Sequence, residues 1–259
     1  MESPIPPLLF SLLLFVGMLI LVEVGRQIAH HRRQKDSDDD KGNMGTIEGA
    51  IFALFGLMIA FTFSGAATRF NEKRMLIAEE ANSIEVAYLR LQLLPNQAQH
   101  QLQELFRRYT DSRLEVYRRL PNMQAAEAEM GRSKELQNEI WRESIANSRD
   151  PAAHPDAGKL LLPAVNDMID ISAIRKMALH NHPPNIVYWL LFVLGLLCSL
   201  LAGYRMAGSR HRSWLHTFAF AFITVTIVYV IVDLEFPRIG LFRLVNADQA
   251  IVDVLQEMH

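Results

Sequence analysis

The chain has 259 residues, 26 Lys and Arg against 28 Asp and Glu, and a single cysteine. Four windows, 3–22, 49–68, 183–204 and 213–232, contain no Asp, Glu, Lys or Arg, so the 21% charge is carried entirely by the rest of the chain. This patterning excludes an ordinary soluble globule. The lone Cys198 excludes an intramolecular disulfide or a cysteine metal site, and a net charge of −2 gives no general attraction to nucleic acid.

A hydrocarbon core about 30 Å thick takes roughly 20 apolar residues of helix, and every window meets that length. The sequence therefore predicts an all-α integral membrane protein with four transmembrane helices in the lipid bilayer. Residues 1–68 hold helices 1 and 2 and a basic/acidic connecting loop. Residues 69–182 form an extramembrane helical bundle continuing from helix 2, and 183–259 hold helices 3 and 4 with a short C-terminal tail.

The first window begins MESPIPP, without Lys or Arg, and no A-x-A site follows it, so it reads as an uncleaved anchor rather than a signal peptide. The loop after it carries Arg26, Arg32, Arg33, Lys35 and Lys41, with His30 and His31 facing anionic headgroups. The loop between the third and fourth windows carries Arg205, Arg210 and Arg212. Short basic loops stay in the cytoplasm. That places both termini and the bundle on the extracytoplasmic side of the inner membrane.

The second window, in IEGAIFALFGLMIAFTFSGAATRF, is the most patterned. At about 100° per residue, Gly49, Ala53, Gly56, Ala60 and Ala67 fall within about 40° of one line. Such a small-xxx-small seam lets helix backbones approach closely in lipid. Phe55, Ile59 and Phe63 recur at four-residue steps on an adjacent face. Two readings stand: ordinary helix packing, or a ring of bulky residues from several subunits that forms a hydrophobic constriction in a pore. Glu48, at the start of the window, is either a carboxylate favoured by the helix amino end or a charge at an ion mouth.

Beyond the second window, Phe70, Ile77, Ala81, Ile84, Tyr88 and Leu91 keep the helical period with no Gly or Pro before Pro95, so the span continues as one rod. Pro95 and Pro121 punctuate a second helix with its apolar stripe from Leu102 to Leu120. A third helix covers roughly 123–147 and a fourth about 158–180, separated by RDPAAHPDAG. The pattern predicts an antiparallel bundle.

The fourth window ends IVYVIVDLEFPRIG, which gathers Asp233, Glu235 and Arg238 at the interface. They are an acidic pore mouth favouring cations, or an ion pair of the acids with Arg238 or Arg69. Thr62, Ser64, Thr224 and Thr226 lie in spans without a His or carboxylate partner at catalytic spacing. The histidines show no i, i+4 metal pair. No Rossmann, Walker, zinc or nucleophile-elbow motif is present. The expectation is a non-enzyme with no cofactor and no metal.

The run EGAIFALFGLMIAFTFSGAATRFNEKRMLIAEEANSIEVAYLRLQLLP resembles the bestrophin-like domain proteins of bacteria. So do the helix with Pro163, Asn166 and Asp170 and the closing YVIVDLEFPRIGLFRL, with its D-x-x-x-P-R-x-G pattern. That family is remotely similar to bestrophins, pentameric chloride channels whose second helix lines a narrow neck with apolar residues. The resemblance implies a homo-oligomer, a pentamer by analogy, with Phe55, Ile59 and Phe63 at the neck and inorganic ions as the permeant partners. It also implies a cytoplasmic bundle and anion passage, whereas the basic loops and the acidic span ends point the other way on both counts. The leading expectation is an ion channel lined by the second span. The alternative is a non-conducting, membrane-anchored helical scaffold or sensor that binds a protein partner. Absence of Asp, Glu, Lys and Arg from every window disfavours an ion-coupled transporter.

Overall fold

In lipid a backbone can satisfy its own hydrogen bonds only as helix or closed barrel, and the long apolar runs here have neither the alternation nor the turns of a barrel. The computed structural model describes residues 7–32, 41–119, 122–207, 214–236 and 245–258. Among them there is no strand. The helices are α1 (Pro7–Arg32), α2 (Lys41–Leu89), α3 (Asn96–Arg118), α4 (Met123–Asn147), α5 (Ala157–His180), α6 (Asn185–Met206), α7 (Trp214–Glu235) and α8 (Val245–Glu257). A 3₁₀ turn, Arg90–Leu93, closes α2 ahead of Pro95. Four helices, α1, α2, α6 and α7, are long and apolar enough to cross a membrane.

The chain forms two units, one from Met1–Phe70 with His182–Leu241, the other from Asn71–Asn181 with Phe242–His259. In the first, α1 packs mainly on α6 and also on α7. The crossing is set by glycines. A Cβ on Gly203 would lie 1.9 Å from the Val22 carbonyl oxygen, and one on Gly25 would lie 2.0 Å from that of Leu200. Any side chain at either position forces the helices apart, so the close crossing requires both glycines. Around it Phe10, Leu14 and Met18 of α1 are buried with Ala221, Val228 and Val232 of α7. The outer faces are apolar instead: Leu12, Ile20, Leu57, Phe61, Ile186 and Phe222 are all exposed, as a lipid-facing surface requires.

In the second unit the amphipathic period places Ile77 and Ile84 of α2, Leu91 of the 3₁₀ turn, Leu102, Phe106 and Tyr109 of α3, Ile140 of α4 and Leu161, Val165 and Met168 of α5 in one core. The Asn122 side chain accepts from the Ala125 amide at 3.1 Å and starts α4. The tail expected after the fourth span is not a tail within 245–258. It is helix α8, which buries Ile251 and Val254, with Met258 buried just after it, and packs on α3. Just after α8 the Met258 carbonyl accepts from Arg107 Nε at 2.7 Å.

Candidate functional site: the second span and its charged ends

The 49 residues of α2 hold a charge-free stretch between Glu48 and Arg69. Of the four apolar windows this one is the least covered by its own chain: 11% of it is buried, against 28% in each of the other three. Gly49, Ala53, Gly56 and Ala60 are all exposed. A Cβ on Gly49 or Gly56 would meet nothing within 4 Å. The small-residue seam that the protomer uses internally is instead the Gly25/Gly203 pair. Its signal was present in the sequence as glycines eight residues apart on each partner, Gly17 and Gly25 on α1, Gly195 and Gly203 on α6.

The bulky row divides. Phe55 is buried against α6, grouped with Leu191 and Cys198, its ring 3.5 Å from where a Gly195 Cβ would be. Ile59 is half-buried, and Phe63 is 43% exposed at the edge of the small seam. Helix rotation explains the division: each four-residue step advances about 40°, which carries the row from the α6 contact to the open face. Thr62 turns its hydroxyl back onto the Met58 carbonyl at 2.7 Å and so leaves no polar group on the row.

Ion pairs hold both ends of this stretch. Glu48 does not cap the helix, because α2 begins at Lys41; it is buried and 3.2 Å from Arg205 Nη1 on α6. At the other end Arg69 donates Nε to Glu235 Oε1 at 2.8 Å, with Nη2 on the same oxygen. Glu235 and Asp233 are both buried. His182 Nδ1 stands 3.6 Å from Glu235 Oε2, too long for a hydrogen bond, and its ring stacks on Phe236. Arg238 lies outside the described residues. Beside the Arg69–Glu235 pair is a cavity of about 190 Å³, lined by residues of α2, α6 and α7.

A second charged cluster, missed from the sequence, sits in the bundle unit. The Glu80 carboxylate is fully buried and accepts from Arg113 Nε and Arg175 Nη1. Arg175 also reaches Asp248 of α8 at 3.2 Å, and its guanidinium lies 3.7 Å over the Tyr117 ring. Burial works against the Arg113 charge, but the Glu80 carboxylate beside it outweighs that and holds its pKa above the ordinary value. The legible signal was Glu80 falling on the Ile77/Ala81/Ile84 stripe, because a charge on an apolar face requires a buried partner. The motif residues Asn166 and Asp170 pair with each other at 2.8 Å on the exposed side of α5.

A Bestrophin-like domain model matches residues 12–248. The chain belongs to the Bestrophin-like family. Its fold is that of solved bacterial relatives. Two variants of a bacterial bestrophin homologue from Klebsiella pneumoniae superpose with TM-scores of 0.69 and 0.70 at 13% identity. The first alignment covers 94% of this chain and 98% of that one, the second 95% and 97%. A structure described only as a membrane protein aligns at a TM-score of 0.63 and 15% identity, over 94% and 97% of the two chains. No curated protein matches the sequence. At these identities the likeness carries the bestrophin-type fold alone.

Proposed function

We propose that this Bestrophin-like protein is a homo-oligomeric ion channel of the cell inner membrane, with α2 of each copy around the pore. The supporting observation is the uncovered face of α2. An apolar helix with an open small-residue seam, in a chain whose other three spans cover one another, is completed by copies of itself. The subunit number we propose by analogy is five. Of the bulky row, Phe63 and Ile59 are the neck candidates that the protomer leaves accessible; Phe55 supports them from behind against α6. A narrow apolar neck opposes ions by dewetting rather than by charge. Glu48, Arg69, Asp233 and Glu235 then serve as structural charges that hold the pore helix.

The test is ion flux from liposomes containing the purified oligomer. We expect a selective current, raised severalfold by Phe63→Ala. A monomer in lipid with no flux overturns the proposal and leaves the scaffold reading, in which the spans only anchor the bundle. Sidedness divides the two arguments made from the sequence. The basic loops place the bundle and both termini outside, and the bestrophin resemblance places the bundle in the cytoplasm. A cysteine introduced at exposed Glu127, in a Cys198→Ala background, decides it by its reaction with a membrane-impermeant maleimide on intact cells.

A further inference from the structure

The cavity beside the Arg69–Glu235 pair has a polar end and an apolar body. Along α2 it runs from Phe61 through Thr62 and Gly65 to Arg69, about 12 Å at 1.5 Å per residue. Facing that line are Val187 and Tyr188 of α6 and Ile231 and Glu235 of α7. Gly65 has a specific reason to lack a side chain: a Cβ there would stand 3.2 Å from Arg69 Nη1, in the path of the guanidinium. The polar end coincides with the ends of three charge-free windows, at residues 68, 183 and 232. That is the level where hydrocarbon gives way to headgroups. The apolar end opens past Phe61, which is 68% exposed.

The Tyr188 hydroxyl is buried and finds no hydrogen-bond partner among the described residues. The charges nearby already answer each other, since Arg69 is committed to Glu235. The polar end thus holds a hydroxyl donor on Tyr188 beside the Glu235 carboxylate, whose Oε1 is taken by Arg69. At about 190 Å³ the cavity far exceeds the roughly 10–15 Å³ that one bridging water needs. Its apolar walls offer a chain of waters nothing to bind.

We propose that this cavity is a glycerolipid site. An ester carbonyl accepts from the Tyr188 hydroxyl, and the acyl chain below it lies along Phe61, Val187 and Ile231. The match is one of order along the membrane normal: donor at the glycerol level, apolar walls at the chain level. The site does not depend on the channel reading, because lipid occupancy is measured without any flux.

The experiment counts phospholipid retained per chain by native mass spectrometry after extraction in mild detergent, and maps the cavity by cryo-electron microscopy in nanodiscs of phosphatidylethanolamine and phosphatidylglycerol. Wild type is expected to retain about one lipid per chain and to show acyl density between α2 and α6. Val187→Trp fills the cavity and abolishes retention. Tyr188→Phe, which keeps the ring and the fold, lowers retention of ester lipid roughly fivefold, the worth of one neutral hydrogen bond. A diether phospholipid lacks the carbonyl, so it binds wild type and Tyr188→Phe equally. The proposal is overturned if wild type retains no lipid, if Val187→Trp retains as much, if ester and ether lipids are held alike by wild type, or if a neighbouring copy's side chain fills the density.

Discussion

Removing the carboxylate at Glu80 tests whether one buried anion organises the extramembrane bundle. Its side chain is 0% exposed, and those of Arg113 and Arg175, which it receives, are 6% and 4%. In Glu80→Ala the two guanidiniums stay buried and charged, because arginine does not give up its proton in proteins. Arg175 keeps Asp248, but Arg113 is left with the Tyr117 hydroxyl at 2.8 Å. Breaking a buried pair from one side costs about 3–5 kcal/mol, a large part of the roughly 5–15 kcal/mol that holds a domain folded. For a unit made of Asn71–Asn181 and Phe242–His259 this amounts to a drop in Tm of roughly 10–20 °C. Differential scanning fluorimetry of the full chain in detergent reads it. The triple replacement Glu80→Leu, Arg113→Met, Arg175→Met removes all three charges together and is expected to recover most of the loss. A Tm for Glu80→Ala within about 2 °C of wild type, or a triple variant as unstable as the single, refutes the reasoning.

Gly203→Ala is expected to abolish a well-folded, monodisperse protein on size-exclusion chromatography, since its Cβ would stand 1.9 Å from the Val22 carbonyl oxygen. Gly49→Ala and Gly56→Ala, with open space at both positions, leave the protomer intact, and any effect on them registers in crosslinked oligomer size. Burial pushes the Tyr109 phenol up from its ordinary 10 to about 12, so the fold favours its neutral form. That contribution, about 3 kcal/mol, is complete below pH 10 and is lost as pH rises toward 12. Tyr109→Phe flattens the fall in Tm between those values, although it also loses the 3.0 Å bond from Gln137.

The helices were legible because their signals are local. Charge-free length marks the spans, Pro95 and Pro121 mark boundaries, and the stripe from Ile77 to Ile84 marks the buried face of α2. What the sequence misplaced depends on partners distant in the chain. The seam at Gly49–Ala60 reads the same whether α6 or a second copy covers it, and here no helix of the protomer does. Phe55 looks equivalent to Phe63 along the row, yet Gly195, some 140 residues away, makes the space that draws its ring inward. Helix α8 carries Ile251 and Val254 on one face, but a helix of 13 residues is marginal on its own. Its place comes from Asp248 meeting Arg175 and from Arg107 meeting the Met258 carbonyl.

The two ion pairs on α2 differ in one respect that bears on how the helix responds to its surroundings. Glu48 and Arg69 are 21 residues apart, about 31 Å of helix, so one tether falls at each surface of the bilayer. The tether at Glu48 ends in Arg205, whose side chain is 69% exposed, while the one at Arg69 ends in Glu235, at 0%. Dissolved salt screens exposed charges and hardly reaches buried ones. Raising the ionic strength therefore weakens the tether at Glu48 more than the one at Arg69, and the second span is held less evenly at its two membrane faces.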